Sequence, residues 1–363
     1  MISLNGGQFS DVDTYLLSTL ALAAATGRSF QMTEIGKLNR PSGLSVFHLT
    51  AIKAIAALCQ AQVKGNIVRS TELSFVPTHP ARARDLVIDT SEATGRPSSA
   101  SVIRLVETLI CALDQTSDDS FIRLRGVNAS PFSMSAFWLR ETLTPMLSLL
   151  GIGAAVEIEK LGWFPDGGGD MTMIVEKRSN KTRRPGKLMW SHRGDLVALS
   201  AVVMLSHRMN KRIGEQMVQA FQKAVVAERL GATDVEIRRV SSSGPGSGLF
   251  IAAEFEHVTA GFEGISYQGM SAAQVAQEAV SAMSYYFWSE AAFDPELARA
   301  LMIPFALSTQ HIVCTTSELT RSMRVLEELI PHFLPVQVKL SKHAYGGQIE
   351  IRPTVSTVQN EFK

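Results

Sequence analysis

Hydrophobic and polar positions along the chain switch repeatedly between two periods. Alternation, as in residues 30–35 and 120–126, puts every second side chain on one face and predicts strands. Recurrence at helical spacing, as in Leu49, Ile52 and Ala56, predicts helices with one buried face. The first cycle reads strand 2–4, helix 13–26, strand 30–35, helix 44–59, then strands 61–64 and 72–76. Asn5-Gly6-Gly7 and Pro41-Ser42-Gly43 punctuate it as turn and loop. The second cycle reads strand 85–89, helix 98–113, strand 120–126, a long helix 133–150, then strands 154–160 and 171–176. One order of elements recurring after about 80 residues predicts duplicated α+β units side by side.

Further on, strand 195–206, helix 211–230, strands 234–240 and 249–253, a strand or hairpin over 254–267 and helix 271–288 make a smaller α/β unit. Helix 297–307, strand 311–313, helix 318–329 and strands 336–340 and 348–352 close the chain. The expected fold class is α+β (α/β): repeated βαβαββ units with a small inserted α/β domain. The expected domains are a core of two units over residues 1–187, an insert over 188–285 and a C-terminal core unit over 286–363.

With 363 residues the chain is long enough for about two domains with proper cores. Apolar residues at 45% and charged residues at 19% match a globular composition. A net charge of +1 argues against a strong global field for nucleic acid and leaves room for a local patch. Cys59, Cys111 and Cys314 are isolated, without metal-ligand spacing, and read as buried thiols in a reducing compartment. No apolar run reaches the ~20 residues of a membrane span, and the first residues lack the pattern of a signal peptide. A cytoplasmic location is the expectation, with no membrane and no metal site.

Two stretches stand apart from the periodic pattern. Gly162-Trp163-Phe164-Pro165-Asp166-Gly167-Gly168-Gly169-Asp170 joins two strands through three successive glycines. Glycines there lose much backbone freedom on folding, which makes sense where backbones approach closely or φ is positive. The bland reading is a glycine-rich hairpin without chemistry. Residues 177–187, KRSNKTRRPGK, hold six basic residues among eleven and no acid. A solvated linker at a domain boundary and a phosphate-contacting arm both fit. No aromatic residue interleaves with these cations, so base stacking has no support in this segment.

The element order, the triple glycine and the insert together resemble the RNA 3′-terminal phosphate cyclase family. Leu4-Asn5-Gly6-Gly7-Gln8 resembles its opening strand and turn, and Ser42-Gly43-Leu44 with His48-Leu49-Thr50-Ala51-Ile52-Lys53 its second helix. Gly162, Pro165, Gly167, Gly168 and Gly169 match its signature loop, with Leu161 where a basic residue normally stands. Gly244-Pro245-Gly246 and Phe333-Leu334-Pro335-Val336 have counterparts in its insert and its last strand. The resemblance implies the cyclase/EPSP-synthase-like arrangement of βαβαββ units. It also implies a reaction in which ATP adenylates a catalytic histidine, AMP passes to an RNA 3′-phosphate, and the 2′-hydroxyl closes the ring. Such chemistry needs a nucleophilic imidazole, a phosphate cradle, and cations or metal for the developing charge.

The sequence departs from that pattern where the chemistry should lie. The glycine-rich loop after the first turn falls on residues 9–14, which hold no glycine and two acids, Asp11 and Asp13. An expected basic residue falls on Leu17, an Arg-Gln pair on Val46-Phe47, and an acid on or near Arg299. The nucleophile should lie within residues 315–321, TTSELTR, where Ser317 is nearest and no histidine stands. His311, six residues early, is the remaining candidate, while His48 reads as a structural histidine on an apolar helix.

The expected function is a cyclase-like protein with a degenerate nucleotidyl-transfer site that binds RNA or a protein partner of RNA processing. Its candidate phosphate contacts are Arg40, Lys53, Arg178, Lys181, Arg183 and Arg184. A divergent, ATP- and Mg-dependent cyclase with rearranged chemistry is one alternative. A structural or assembly protein with an exposed apolar patch at Phe132, Phe137 and Trp138 is the other.

Overall fold

The computed structural model describes residues 1–91, 99–114, 116–177, 187–229 and 233–354. The first unit holds β1 (Ile2–Asn5), α1 (Val12–Thr26), β2 (Phe30–Thr33), α2 (Val46–Cys59), β3 (Gln62–Lys64) and β4 (Leu73–Val76), with strands in the order β1-β2-β4-β3. The second holds β5 (Leu86–Asp89), α3 (Ile103–Leu113), β6 (Ser120–Gly126), α4 (Ala136–Trp138), α5 (Thr144–Leu149), β7 (Ala154–Lys160) and β8 (Gly169–Val175), in the order β5-β6-β8-β7.

The third unit opens with β9 (Lys187–Trp190) and is then interrupted. The insert runs through β10 (Leu196–Ser206), α6 (Lys211–Ala227), β11 (Asp234–Val240), β12 (Ser247–Phe255), β13 (Thr259–Ile265) and α7 (Ala272–Ser289), with sheet order β11-β10-β12-β13. The chain returns through α8 (Pro295–Leu307), β14 (His311–Thr316), α9 (Arg321–Phe333), β15 (Val336–His343) and β16 (Gly346–Pro353). These strands and β9 form the sheet β15-β16-β14-β9, His311 lying opposite Lys187.

All three core sheets share one topology: the first two strands parallel, the other pairs antiparallel. A parallel pair needs a crossover, and α1, α3 and α8 supply it. In β6, Ile122 and Leu124 are buried while Phe121, Arg123 and Arg125 face out, as a sheet covered on one side requires. The helices gather beneath: α1 packs on α2, α3 and α9, and α8 on α3 and α9. Helix α1 is buried on nearly every side, from Thr14 to Leu17 and from Thr19 to Ala24. That placement suits its sequence, LLSTLALAAA, which has no polar face to offer water.

Residues 133–150 do not form one helix. A π turn, Leu139–Leu143, separates α4 from α5, and the Thr144 N–H reaches back five residues to Leu139 O. Pro145 follows directly and has no N–H for the α-helical ladder, which is where an α-helix gives way. The turn carries Phe137 and Trp138 inward, to 4% and 0% exposure, so the apolar patch expected there reduces to Phe132 at 71%.

The insert has its own core, in which Phe221, Leu249, Ile251, Phe262, Val280 and Tyr286 meet between the sheet and α6 and α7. Its stem is closed by two residues. Arg193 donates to Tyr286 O, Phe287 O and Ala291 O while its guanidinium lies over the rings of Phe255, Tyr286 and Phe287. Thr315 Oγ1 donates to Ser191 O and accepts from Ala292 N–H, tying both ends of the insert to β14.

The glycine-rich loop docks the insert onto the core. Asn128 holds it on both sides, accepting from Gly162 N–H at 2.8 Å and donating to Lys160 O at 3.1 Å. Leu161 N–H donates to Ser241 O, and Ser243 Oγ donates to Gly168 O. Gly246 of the insert lies directly against the Trp163 indole, with no room for a Cβ. Gly167 and Gly168 have φ of 67° and 72°, and a Cβ on Gly162 would run into the backbone of Gly126 and Gly169. Gly162→Ala should therefore cost about 2–4 kcal/mol. Urea unfolding checks it, and an unchanged midpoint would mean that the joint yields freely.

Candidate functional site

Between the helical layer and the insert lies a cavity of about 590 Å³. Its floor is the N-terminal turn of α1, whose residues reach three other helices. Asp11 caps α1 by accepting from Thr14 N–H at 3.0 Å, and its other oxygen accepts from Ser322 Oγ of α9 at 2.5 Å. Asp13 lies 2.8 Å from His48 Nε2 of α2. Thr14 Oγ1 accepts from Arg104 Nη2 of α3 at 2.6 Å.

His48 is also the third residue of a capping box. Ser45 Oγ accepts from His48 N–H, and His48 Nδ1 accepts from Ser45 N–H at 3.1 Å. With Nδ1 accepting, the ring proton sits on Nε2 and is donated to Asp13. That hydrogen bond outweighs burial and holds the Asp13 carboxyl below its ordinary range.

One wall is an ion cluster. Arg299 of α8 is 6% exposed and makes two 2.9 Å bonds to Glu107 of α3 and a third, at 3.0 Å, to Glu296. Burial works against the Arg299 charge, but Glu107 and Glu296 more than restore it, so the guanidinium stays protonated. Burial also pushes the Glu296 carboxyl up, and the charges of Arg299 and Arg104 bring it below its ordinary range.

The opposite wall is the seam with the insert. Glu263 of β13 accepts from Ser135 N–H at 2.6 Å and from Ser135 Oγ at 2.5 Å, and burial pushes its carboxyl up to about 7. Six carboxyl groups line the cavity (Asp11, Asp13, Glu107, Glu263, Glu278 and Glu296) against two guanidiniums, Arg104 and Arg299. Arg299 is already engaged by two of those acids. A polyphosphate placed here would meet the Asp11 and Asp13 carboxylates at the first turn of α1, while the first turns of α3, α8 and α9 also reach the cavity, through Arg104, Glu296 and Ser322. Among the described residues, no three His, Cys, Asp or Glu side chains gather as a metal would need.

The residues singled out from sequence disperse. His311 lies on β14, its Nε2 2.9 Å from Glu350, which also accepts from Arg352; it does not line the cavity. Arg40 is exposed in a loop whose neighbour Asn39 donates to Ser10 O, beside the cavity floor. Lys53 lines a separate groove with Leu49, Val87 and Asp89. Arg178, Lys181, Arg183 and Arg184 fall outside the described residues. The loop from Gly162 to Gly169 borders a shallow pocket with Asp89, Arg125, Lys160 and Asp170, behind the insert joint.

Sequence reasoning passed over Arg104, Glu107 and Glu263. The signal for the first two was present, since α3 reads IRLVETLICAL and its two charges stand three apart on an otherwise apolar helix. Ser135 with Glu263 spans 128 residues and has no local signal.

The profile of the family described as "RNA 3'-terminal phosphate cyclase" matches residues 11–340. A protein of that name from Methylococcus capsulatus is 30% identical over 348 residues, 95% of each chain. Another, from Gloeothece citriformis, is 26% identical over 341 residues, 94% of this chain and 96% of its own. Among solved structures, the enolpyruvyl transferase NikO from Streptomyces tendae aligns with 50% of this chain and 34% of its own, at TM-score 0.29 and 17% identity, too slight a likeness to build on. No described helix is long and apolar enough to cross a membrane.

Glu263 holds its proton in the fold to about 7 against an ordinary 4.5. Between those values the folded chain binds more protons than the unfolded one, so stability falls as pH rises through that window. Glu263→Gln removes this contribution, and Asp294, raised by burial to about 7, keeps its own in both proteins. Denaturation midpoints across the window should decline less steeply in the variant, and equal slopes would refute the assignment to Glu263.

Proposed function

The chain belongs to the RNA 3′-terminal phosphate cyclase family, and on that premise we propose that it binds RNA without adenylating a histidine of its own. The observation that carries this reading is the cavity lining: none of the chain's eight histidines, all of them described, is part of it. An imidazole attacks the α-phosphate of ATP through a free ring nitrogen. His48, the nearest, has Nδ1 accepting from Ser45 N–H and Nε2 against Asp13. His311 faces Glu350 on the neighbouring strand of its own sheet, away from the cavity lining. The carboxylates on the cavity floor support the same reading, because a phosphate cradle presents N–H groups and cations rather than acids. The reading assigns no role to ATP or Mg²⁺.

The Ser322–Asp11 hydrogen bond favours a second reading, in which an alcohol beside a carboxylate replaces the imidazole. The two differ in the bond that would form, since an adenylated histidine is an acid-labile phosphoramidate and an adenylated serine an acid-stable phosphodiester.

Incubation with α-labelled ATP and a divalent metal, followed by electrophoresis with and without acid treatment, separates them. The proposal expects no labelled band, together with binding of short single-stranded RNA in a parallel shift assay. An acid-labile band would contradict it. An acid-stable band lost in Ser322→Ala would establish the rearranged enzyme, and absence of both label and RNA binding would overturn the RNA reading.

A further inference from the structure

Beside the mouth of the acidic cavity, three aromatic rings from three separate loops come together, Phe132 and Tyr267 exposed and Phe164 half-buried. Phe132 is 71% exposed and also lines the cavity. Its ring meets Phe164 of the glycine-rich loop edge-on, with centroids 5.0 Å apart at 84°, and lies 5.9 Å from Tyr267, 43% exposed, which follows β13 of the insert. The platform therefore spans the seam between core and insert.

The rings are held from behind. Phe132 N–H donates to Ser130 Oγ after Pro131, and Ser130 bridges back to Ser133, so Phe132 stands at the tip of a tight turn. Phe164 N–H donates to Ala129 O, which ties the glycine-rich loop to the strand of chain that carries Phe132. A phenylalanine left in water on a braced turn contributes little to the hydrophobic core, so folding does not explain its position.

We propose that Phe132, Phe164 and Tyr267 form a stacking platform for an unpaired nucleobase of an RNA strand, an inference that rests on the RNA-binding reading above. Aromatic faces hold splayed bases of any identity, which is how single-stranded RNA is commonly gripped. The electrostatics agree with this mode. The acids beneath the platform repel phosphates, so the strand is held by its bases at the rim with its backbone turned outward. Sequence singled out Phe132 as part of an exposed apolar patch but not its meeting with Phe164 and Tyr267, because the three residues are spread over 136 positions and meet only through the joint.

The test uses the full chain and a fluorescent single-stranded RNA of about ten nucleotides, beside a matched oligonucleotide with abasic positions. Phe132→Ala and Tyr267→Ala should each weaken binding by about tenfold with unchanged melting temperature, and Phe132→Trp should restore it. The loss should be similar at low and high salt, because no phosphate contact is removed. The abasic strand should bind the unaltered protein as weakly as the ordinary strand binds Phe132→Ala. Undiminished binding by both alanine variants, with RNA still bound by the unaltered protein, would overturn the platform alone. An unaltered protein that binds no RNA would overturn the RNA-binding reading and the platform with it.

Discussion

The first turn of α1 ties α9, α2 and α3 to one point through Asp11, Asp13 and Thr14. Because α1 is buried on nearly all sides, this turn is fixed by the packing of the whole helical layer. The free N–H groups of a helix start attract an anion. Here the chain supplies its own: Asp11 takes the Thr14 N–H, and Asp13 sits in the same turn, paired with His48. A side-chain cap of this kind is worth about 0.5–2 kcal/mol to the helix. The carboxylates that stabilise the start of α1 thus also place negative charge at the turn that would otherwise attract an anion.

The second constraint is the glycine joint. Close approach of the backbones at Gly126, Gly162 and Gly169 lets Asn128 bond on both sides, and the indole of Trp163 then fills the place a side chain on Gly246 would need. The insert is held at this joint, at its stem by Arg193 and Thr315, and along the seam by Glu263 with Ser135. The glycine-rich stretch thus acts in holding two bodies together. Its partner loop, Gly244-Pro245-Gly246, is small for the same reason.

Periodicity made the repeated units legible, since alternation in β6 and β8 and the apolar faces of α2 and α9 are local properties. That residues 315–321 hold no histidine is read directly from the sequence. What escaped was non-local. Strand β9 is four residues long beside a run of cations, and it becomes a strand only by pairing with β14, 124 residues on. The inward turn of Phe137 and Trp138 depends on a π turn that helical periodicity does not encode. Arg299 stands where an acid was expected, and in space it pairs with Glu107 and Glu296 across two units, a contact no local pattern encodes. Of the candidate phosphate contacts among the described residues, Arg40 stands in a loop beside the cavity floor and Lys53 in a separate groove, because charge alone does not specify direction.

The central proposal is that the carboxylates of α1 close the cavity floor to nucleoside triphosphates. A ligand that binds only the folded state must raise the melting temperature. Thermal unfolding of the unaltered protein with and without excess ATP and Mg²⁺ is therefore the most direct measurement. The account predicts coincident transitions, and a rise in melting temperature that is lost when Asp11 and Asp13 are replaced would contradict it.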